Sequence, residues 1–141
     1  MPTFESSISI AAPPEVVWRV LSNVVAWPQW LPTVSKVEPL DGAPLSQGAR
    51  YLVHQPKLRP TIWSVTELAA PQRFVWVARS PGVRMVAEHT VTGQDNAVSV
   101  QLRFSFFGLL GGVVALLFGS LTQRYLAQEV AALKQQVETA R

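Results

Sequence analysis

Between Ala97 and Thr139 the chain changes its apolar period once, and that change limits the folds open to it. Val98, Val100, Leu102, Phe104 and Phe106 alternate with Ser99, Gln101, Arg103 and Ser105, the pattern of an antiparallel strand buried on one face. Beyond Gly108, Gly111 and Gly112, the residues Leu126, Val130, Leu133 and Val137 recur at i, i+4, i+7 and i+11, one stripe of a helix. Gln128, Glu129, Lys134, Gln135 and Glu138 are assigned mostly to the other face of that helix. A helix from about Leu110 to Thr139 is ~45 Å long at ~1.5 Å per residue, enough to cross a whole sheet. A sheet with one apolar face needs such a cover.

The rest of the chain supplies the sheet. Phe4, Ser6, Ile8 and Ile10 alternate with Glu5, Ser7 and Ser9 as a first strand. Pro13 and Pro14 stop it and pre-set a helix start, with Glu15 in the first turn where the helix dipole favours an anion. Val17, Val20 and Leu21 continue at helical spacing, a tryptophan-bearing turn follows, and Val34–Glu38 reads as a second strand. Further strands are expected at Ala49–Gln55, Thr61–Glu67, Arg73–Arg79, Val83–Thr92 and Ala97–Phe107, separated by turn-rich segments. Periodicity alone gives an α+β domain of about seven strands with one long helix.

Composition narrows function by exclusion. The 141 residues suit one domain, 1–141, and a net charge of +3 is mild for that size. Cysteine is absent, which removes disulfides, thiolate metal sites and a cysteine nucleophile, and fits a cytoplasmic protein. The start M-P-T-F-E-S-S lacks a basic stretch before an apolar run, so no secretion signal is expected. No basic and aromatic interleaving points to nucleic acid. Phosphate-binding and dinucleotide-binding glycine motifs are missing, and two histidines give no metal spacing, so neither cofactor nor metal is expected.

Residues 104–123 contain no charge and can be read in three ways. The favoured reading is the last strand, a glycine turn and the buried first turns of the helix. A membrane-docking surface and a membrane-spanning helix are the others.

Several segments carry a family resemblance. I-A-A-P-P-E-V-V-W-R-V-L-S-N-V-V-A-W-P-Q-W-L-P (Ile10–Pro32) resembles the opening of the START-like helix-grip superfamily (SRPBCC), in particular its polyketide cyclase/dehydrase and lipid-transport branch. W-S-V-T-E-L-A-A-P-Q-R-F-V-W-V (Trp63–Val77), S-P-G-V-R-M-V-A-E-H-T-V (Ser80–Val91) and the F-F-G-L-L-G-G turn (Phe106–Gly112) are similar to later segments of that family. The resemblance covers nearly the whole chain. It implies a helix-grip fold: a curved seven-stranded antiparallel sheet around a long C-terminal helix, with two short helices between strands 1 and 2. It also implies a cavity for an apolar ligand between sheet and helix.

Candidate site residues follow from parity and from that implied cavity. Tyr51, Trp63, Trp76, Phe104 and Phe106 fall on the apolar sheet face, which alone reads as packed core; the resemblance makes them cavity walls. Met85 adds an adaptable wall. His89 shares parity with Met85, Ala87 and Val91 and is expected to point inward, as a satisfied core histidine, as an anchor for a ligand carbonyl or hydroxyl, or as a general base. Trp27 and Trp30 are expected to lock the turn onto the sheet, Trp30 being the one given a place in the lining. Glu5, Glu67 and Glu88 are placed on the outer face and His54 outward, leaving few inward ionisable groups for chemistry. Lys57, Arg59, Arg79 and Arg84 are expected to gather beside Leu109 and Leu110 as a basic rim, or to be separate solvated hairpin tips. The expected function is binding, or carriage, of a hydrophobic or amphipathic small molecule, with peripheral membrane contact as a further option and no catalytic residue assigned. A polyketide cyclase/dehydratase-type enzyme and a partner-binding module using residues 104–118 are the alternatives.

Overall fold

The computed structural model describes residues 2–42 and 44–139. Strands β1 (Thr3–Ile10), β2 (Lys36–Pro39), β3 (Arg50–His54), β4 (Thr61–Ala69), β5 (Arg73–Ser80), β6 (Val83–Gln94) and β7 (Ala97–Phe107) form one antiparallel sheet. Their order is β1-β7-β6-β5-β4-β3-β2, so β2 to β7 form a meander and only β1 crosses over, to pair with β7. Helix α1 (Pro14–Ser22) and a 3₁₀ helix (Val24–Gln29) connect β1 to β2, and α2 (Gly111–Thr139) follows β7. This is the α+β helix-grip arrangement expected from the sequence.

Local chemistry explains the boundaries. Pro13 is extended and Pro14 opens α1, where a missing N–H costs nothing, and Val17 and Leu21, one helical repeat apart, both turn into the core. In β4 the ladder to β5 slips between Val65 and Glu67. Strict alternation from Trp63 would carry Glu67 inside. The bulge instead turns it outward, where Glu67 and Glu88 both bind Arg73, at 2.6 and 2.7 Å. β6 runs two residues further than its periodicity indicates, through Gly93 at φ +119°; a Cβ there would meet the Ala97 carbonyl oxygen.

The placement of α2 shapes everything else. Its first turns present Gly111, Ala115 and Gly119 to the sheet, a buried row of small residues at i, i+4 and i+8. A Cβ on Gly119 would stand 2.7 Å from Phe4 Cζ, so only glycine lets the helix axis come this close to β1. The helix therefore lies on β1 and β7 and barely reaches β6. Its second half buries Leu126, Val130, Leu133 and Val137, the stripe read from the sequence.

This corrects the reading of the uncharged window. Its strand and glycine turn are present, but the large apolar residues of that turn and of the first helical turns are mostly exposed. Leu109 is 99% exposed, Leu116 85% and Leu117 71%. Close approach selects the small-residue face for the sheet and sends the leucines outward. Among the described residues no helix is long and apolar enough to cross a membrane.

Gly119→Val is expected to destabilise the protein by roughly 1–3 kcal/mol through overpacking against Phe4, read by urea unfolding, with partial recovery when Phe4→Leu is added. An unchanged midpoint would mean that the helix does not depend on this approach.

Candidate functional site

Cross-strand register sets the inward face of the sheet. Phe74, His89 and Leu102 form one row across β5, β6 and β7; Trp76, Ala87 and Phe104 form the next; Ala78, Met85 and Phe106 form a third. The middle row holds a small residue, Ala87, between two large rings. With α2 displaced toward β1 and β7, side chains do not fill the space over the sheet's centre. What remains is a cavity of about 390 Å³, within the usual range of ligand pockets.

The sheet forms the floor with Trp63, Trp76, Met85, His89, Phe104 and Phe106, six of the residues singled out from the sequence. Val114, Phe118, Leu121, Leu126 and Glu129 of α2 form the roof, and Trp27 closes one end. The rings are mutually packed: Trp27 and Trp76 centroids are 5.3 Å apart, and Trp63 lies 5.7 Å from both Trp76 and Phe104. Such a wall resists collapse, because each ring is held by others. The cavity reaches the surface beside Lys57 and Arg59 of the β3–β4 hairpin, which the Tyr125 hydroxyl ties to α2 by donating to the Pro56 carbonyl.

Tyr51 and Trp30 lie outside the lining. Tyr51 is fully buried against Trp76, its ring 6.0 Å away, and its hydroxyl donates to the Pro44 carbonyl at 3.0 Å. Burial, and then the charge of Asp41, push its pKa up. Trp30 is only half-buried. In the 3₁₀ helix residues three apart share a face, so Val24 and Trp27 both point inward. The chain leaves that helix at Gln29, and Trp30 takes φ −134°, ψ −13°. Trp27 therefore holds the lining position expected for Trp30, with its indole N–H donating to the Leu21 carbonyl at 3.0 Å. His54 pairs with Glu38 at 2.7 Å, away from the cavity.

Two titratable groups line the cavity, one on the sheet and one on α2. His89 is buried and stacked on Phe74, ring centroids 4.0 Å apart at 8°. Its Nδ1 lies 3.3 Å from the Phe74 carbonyl, which can only accept, so Nδ1 carries the hydrogen and Nε2 keeps its lone pair. Burial lowers its pKa to about 3; the bond to Phe74 opposes this and the charge of Arg73 adds to it. His89 is thus a neutral acceptor, not a base that titrates near neutrality. A ligand hydroxyl or N–H suits it, and a ligand carbonyl does not.

Glu129 is the residue that sequence reasoning missed. Burial pushes its carboxyl up to about 7, opposed by a hydrogen bond from the buried Thr33 hydroxyl, 3.1 Å from Oε1. Its charge assigns it to the polar face of the helix, yet it lies three residues after Leu126 and four before Leu133, on the buried stripe itself. That spacing is the signal that could have found it. Near neutral pH the carboxyl can donate or accept. Among the described residues no group of three or more His, Cys, Asp or Glu is placed to hold a metal ion.

Comparison with known proteins agrees with the fold. The family model described as polyketide cyclase/dehydrase and lipid transport matches residues 1–138. Among the curated proteins none matches. Among solved structures, TTHA0849 from Thermus thermophilus superposes with a TM-score of 0.77 at 18% identity, covering 99% of each chain. The Zhui aromatase/cyclase from Streptomyces sp. R1128 gives 0.74 at 18% identity, over 97% of this chain and 93% of that one. A START superfamily protein from Mycobacterium smegmatis gives 0.69 at 19% identity, over 99% of each. At these identities the likeness is one of fold.

The two shifted groups make stability depend on pH in opposite senses. Between 4.5, the ordinary glutamate value, and about 7, the folded chain keeps a proton on Glu129 that the unfolded chain has lost, so raising the pH lowers stability. Between 6.5 and about 3, unfolded His89 takes up a proton that the folded ring refuses, so lowering the pH lowers stability. Glu129 keeps some accessible surface toward the cavity, and water there reduces its effect. Glu129→Gln is expected to gain about 1–3 kcal/mol over the parent at pH 8 and almost nothing near pH 4.5, as measured by urea unfolding. An equal gain at both pH values would show that the carboxyl is not held protonated.

Proposed function

Because the chain belongs to the polyketide cyclase/dehydrase and lipid-transport family, we propose that it binds a hydrophobic or amphipathic small molecule in this cavity, residues 1–141 acting as one ligand-binding domain. One observation carries the reading: an apolar aromatic cavity with a neutral acceptor, His89 Nε2, on its floor and a shifted carboxyl, Glu129, on its roof. Apolar walls with a few placed polar groups are what small-molecule sites consist of. Burial of apolar surface drives entry at about 25 cal/mol per Å². The two polar groups set orientation. For a ligand of a few hundred Å², micromolar affinity remains after the cost of association.

The second reading is an enzyme of the cyclase/dehydratase kind, and Glu129 is the observation that favours it. A cavity carboxyl with a pKa of about 7 is suited to take and return a proton at neutral pH. His89, neutral down to about pH 3, would orient a substrate hydroxyl and not act as the base.

Naphthalene and 2-naphthol separate apolar burial from polar anchoring. His89→Ala is expected to weaken 2-naphthol by about three- to tenfold, one neutral hydrogen bond, and naphthalene much less, by calorimetric titration. Equal losses would reject the anchor, and no saturable binding of either probe would reject the binding function. Glu129→Gln should keep probe binding under both readings and abolish turnover only under the second.

A further inference from the structure

The cations of the described residues are sorted in space, with Arg19, exposed on α1 and in no ion pair, as the exception. Lys36, Arg50, Arg73, Arg103 and Lys134 are each paired with a carboxylate. Lys57, Arg59, Arg79, Arg84 and Arg124 are exposed, and among the described residues none of them makes an ion pair. These five belong to segments 55–66, 74–87 and 104–128, which contain no aspartate or glutamate.

The fold gathers the five at one end. Arg79 and Arg84 are register partners in the β5–β6 hairpin, and Arg84 lies 4.7 Å over the Phe107 ring. Leu110 donates its N–H to the Gly82 carbonyl at 2.8 Å, fixing the start of α2 against that hairpin. Lys57 and Arg59 flank the same cavity mouth as Val83 and Phe118. Arg124 follows Leu117 by seven residues and so shares its side of α2. Beside these cations stand Leu109, Leu110, Val113, Leu116, Leu117 and Phe118, all exposed, six of the eight large apolar side chains that the described residues show to solvent, Leu40 and Ile62 being the others.

We propose that this end of the molecule docks on an anionic lipid bilayer, the leucines of the first turns of α2 entering the interface and the five cations meeting the headgroups. Apolar insertion combined with a polybasic surround is the chemistry of peripheral membrane attachment. A second copy of this chain is the less suitable occupant, because pairing two such faces would oppose two sets of unpaired cations. Phe118 both lines the cavity and is 40% exposed, so the docked face would set the cavity mouth against the lipid. The proposal goes beyond ligand binding and stands apart from it: vesicle binding can fail while naphthol binding persists, and the reverse.

The test is co-sedimentation with phosphatidylcholine vesicles, alone or with about one third phosphatidylglycerol. Binding is expected to the anionic vesicles only and to fall steeply with added salt. The double variants Leu116→Asp/Leu117→Asp and Arg79→Glu/Arg124→Glu should each weaken it by about tenfold or more. None of these four residues lines the cavity, so 2-naphthol binding serves as the control for folding. No sedimentation, or equal sedimentation with neutral and anionic vesicles, overturns the proposal. So does a lipid-free dimer that Leu116→Asp/Leu117→Asp dissolves, which would give the face to a second copy.

Discussion

The close approach of α2 to β1 and β7 is the constraint on which the other features depend. Gly111, Ala115 and Gly119 let the helix settle against Phe4 and Phe106 at one side of the sheet. Two consequences follow from that one contact. The centre of the curved sheet is left without a packing partner, and the cavity forms there. The large side chains of the same helical turns have nowhere to go but outward. An ordinary amphipathic helix with leucines facing the sheet would have stood further off and filled the space itself. The cavity and the exposed apolar face are thus two sides of one packing decision.

The polar groups of the cavity are governed by the same low-dielectric surroundings but respond in opposite ways. Burial disfavours the charged form of each, so a histidine stays neutral in acid and a carboxyl stays protonated toward neutrality. Near pH 7 the histidine is therefore uncharged and the carboxyl about half protonated. This matters energetically: neutral hydrogen-bonding groups can be desolvated with an apolar ligand at modest cost, whereas a lone buried charge cannot. Several of the other charges are held in ion pairs, such as Arg73 with Glu67 and Glu88 on the outer sheet face. Thr33 holds the Glu129 carboxyl, and the Phe74 carbonyl holds the His89 tautomer, so each of these cavity-lining groups has one fixed partner.

The sheet is legible in the sequence because its signals are local and regular. Alternation in β7, the proline pair ahead of α1, and the parity that turns His89 inward each depend on a few neighbouring residues. Three features are not legible in that way. The bulge in β4 reverses parity at one step, and no residue type announces it. The helix face of α2 switches from small residues to large ones midway, so a search for large apolar residues finds only the second half and misassigns the first. Trp27 and Trp30 look equivalent by type, and only the point where the 3₁₀ helix ends tells them apart. Glu129 differs from these: its i+3 and i−4 spacing to Leu126 and Leu133 is present in the sequence, but a charged residue is expected outside, and that expectation outweighs the spacing.

The most direct measurement is native mass spectrometry of the gently purified protein beside its Ala87→Leu variant, which fills the gap between Trp76 and Phe104, followed by solvent extraction of both. A ligand-binding cavity at the sheet centre predicts a stoichiometric added mass on the parent, extractable as an apolar or amphipathic compound, and its loss from a folded Ala87→Leu protein. The same added mass on both proteins would contradict a site at Ala87. A bare mass on the parent that no probe shifts would contradict the binding function itself.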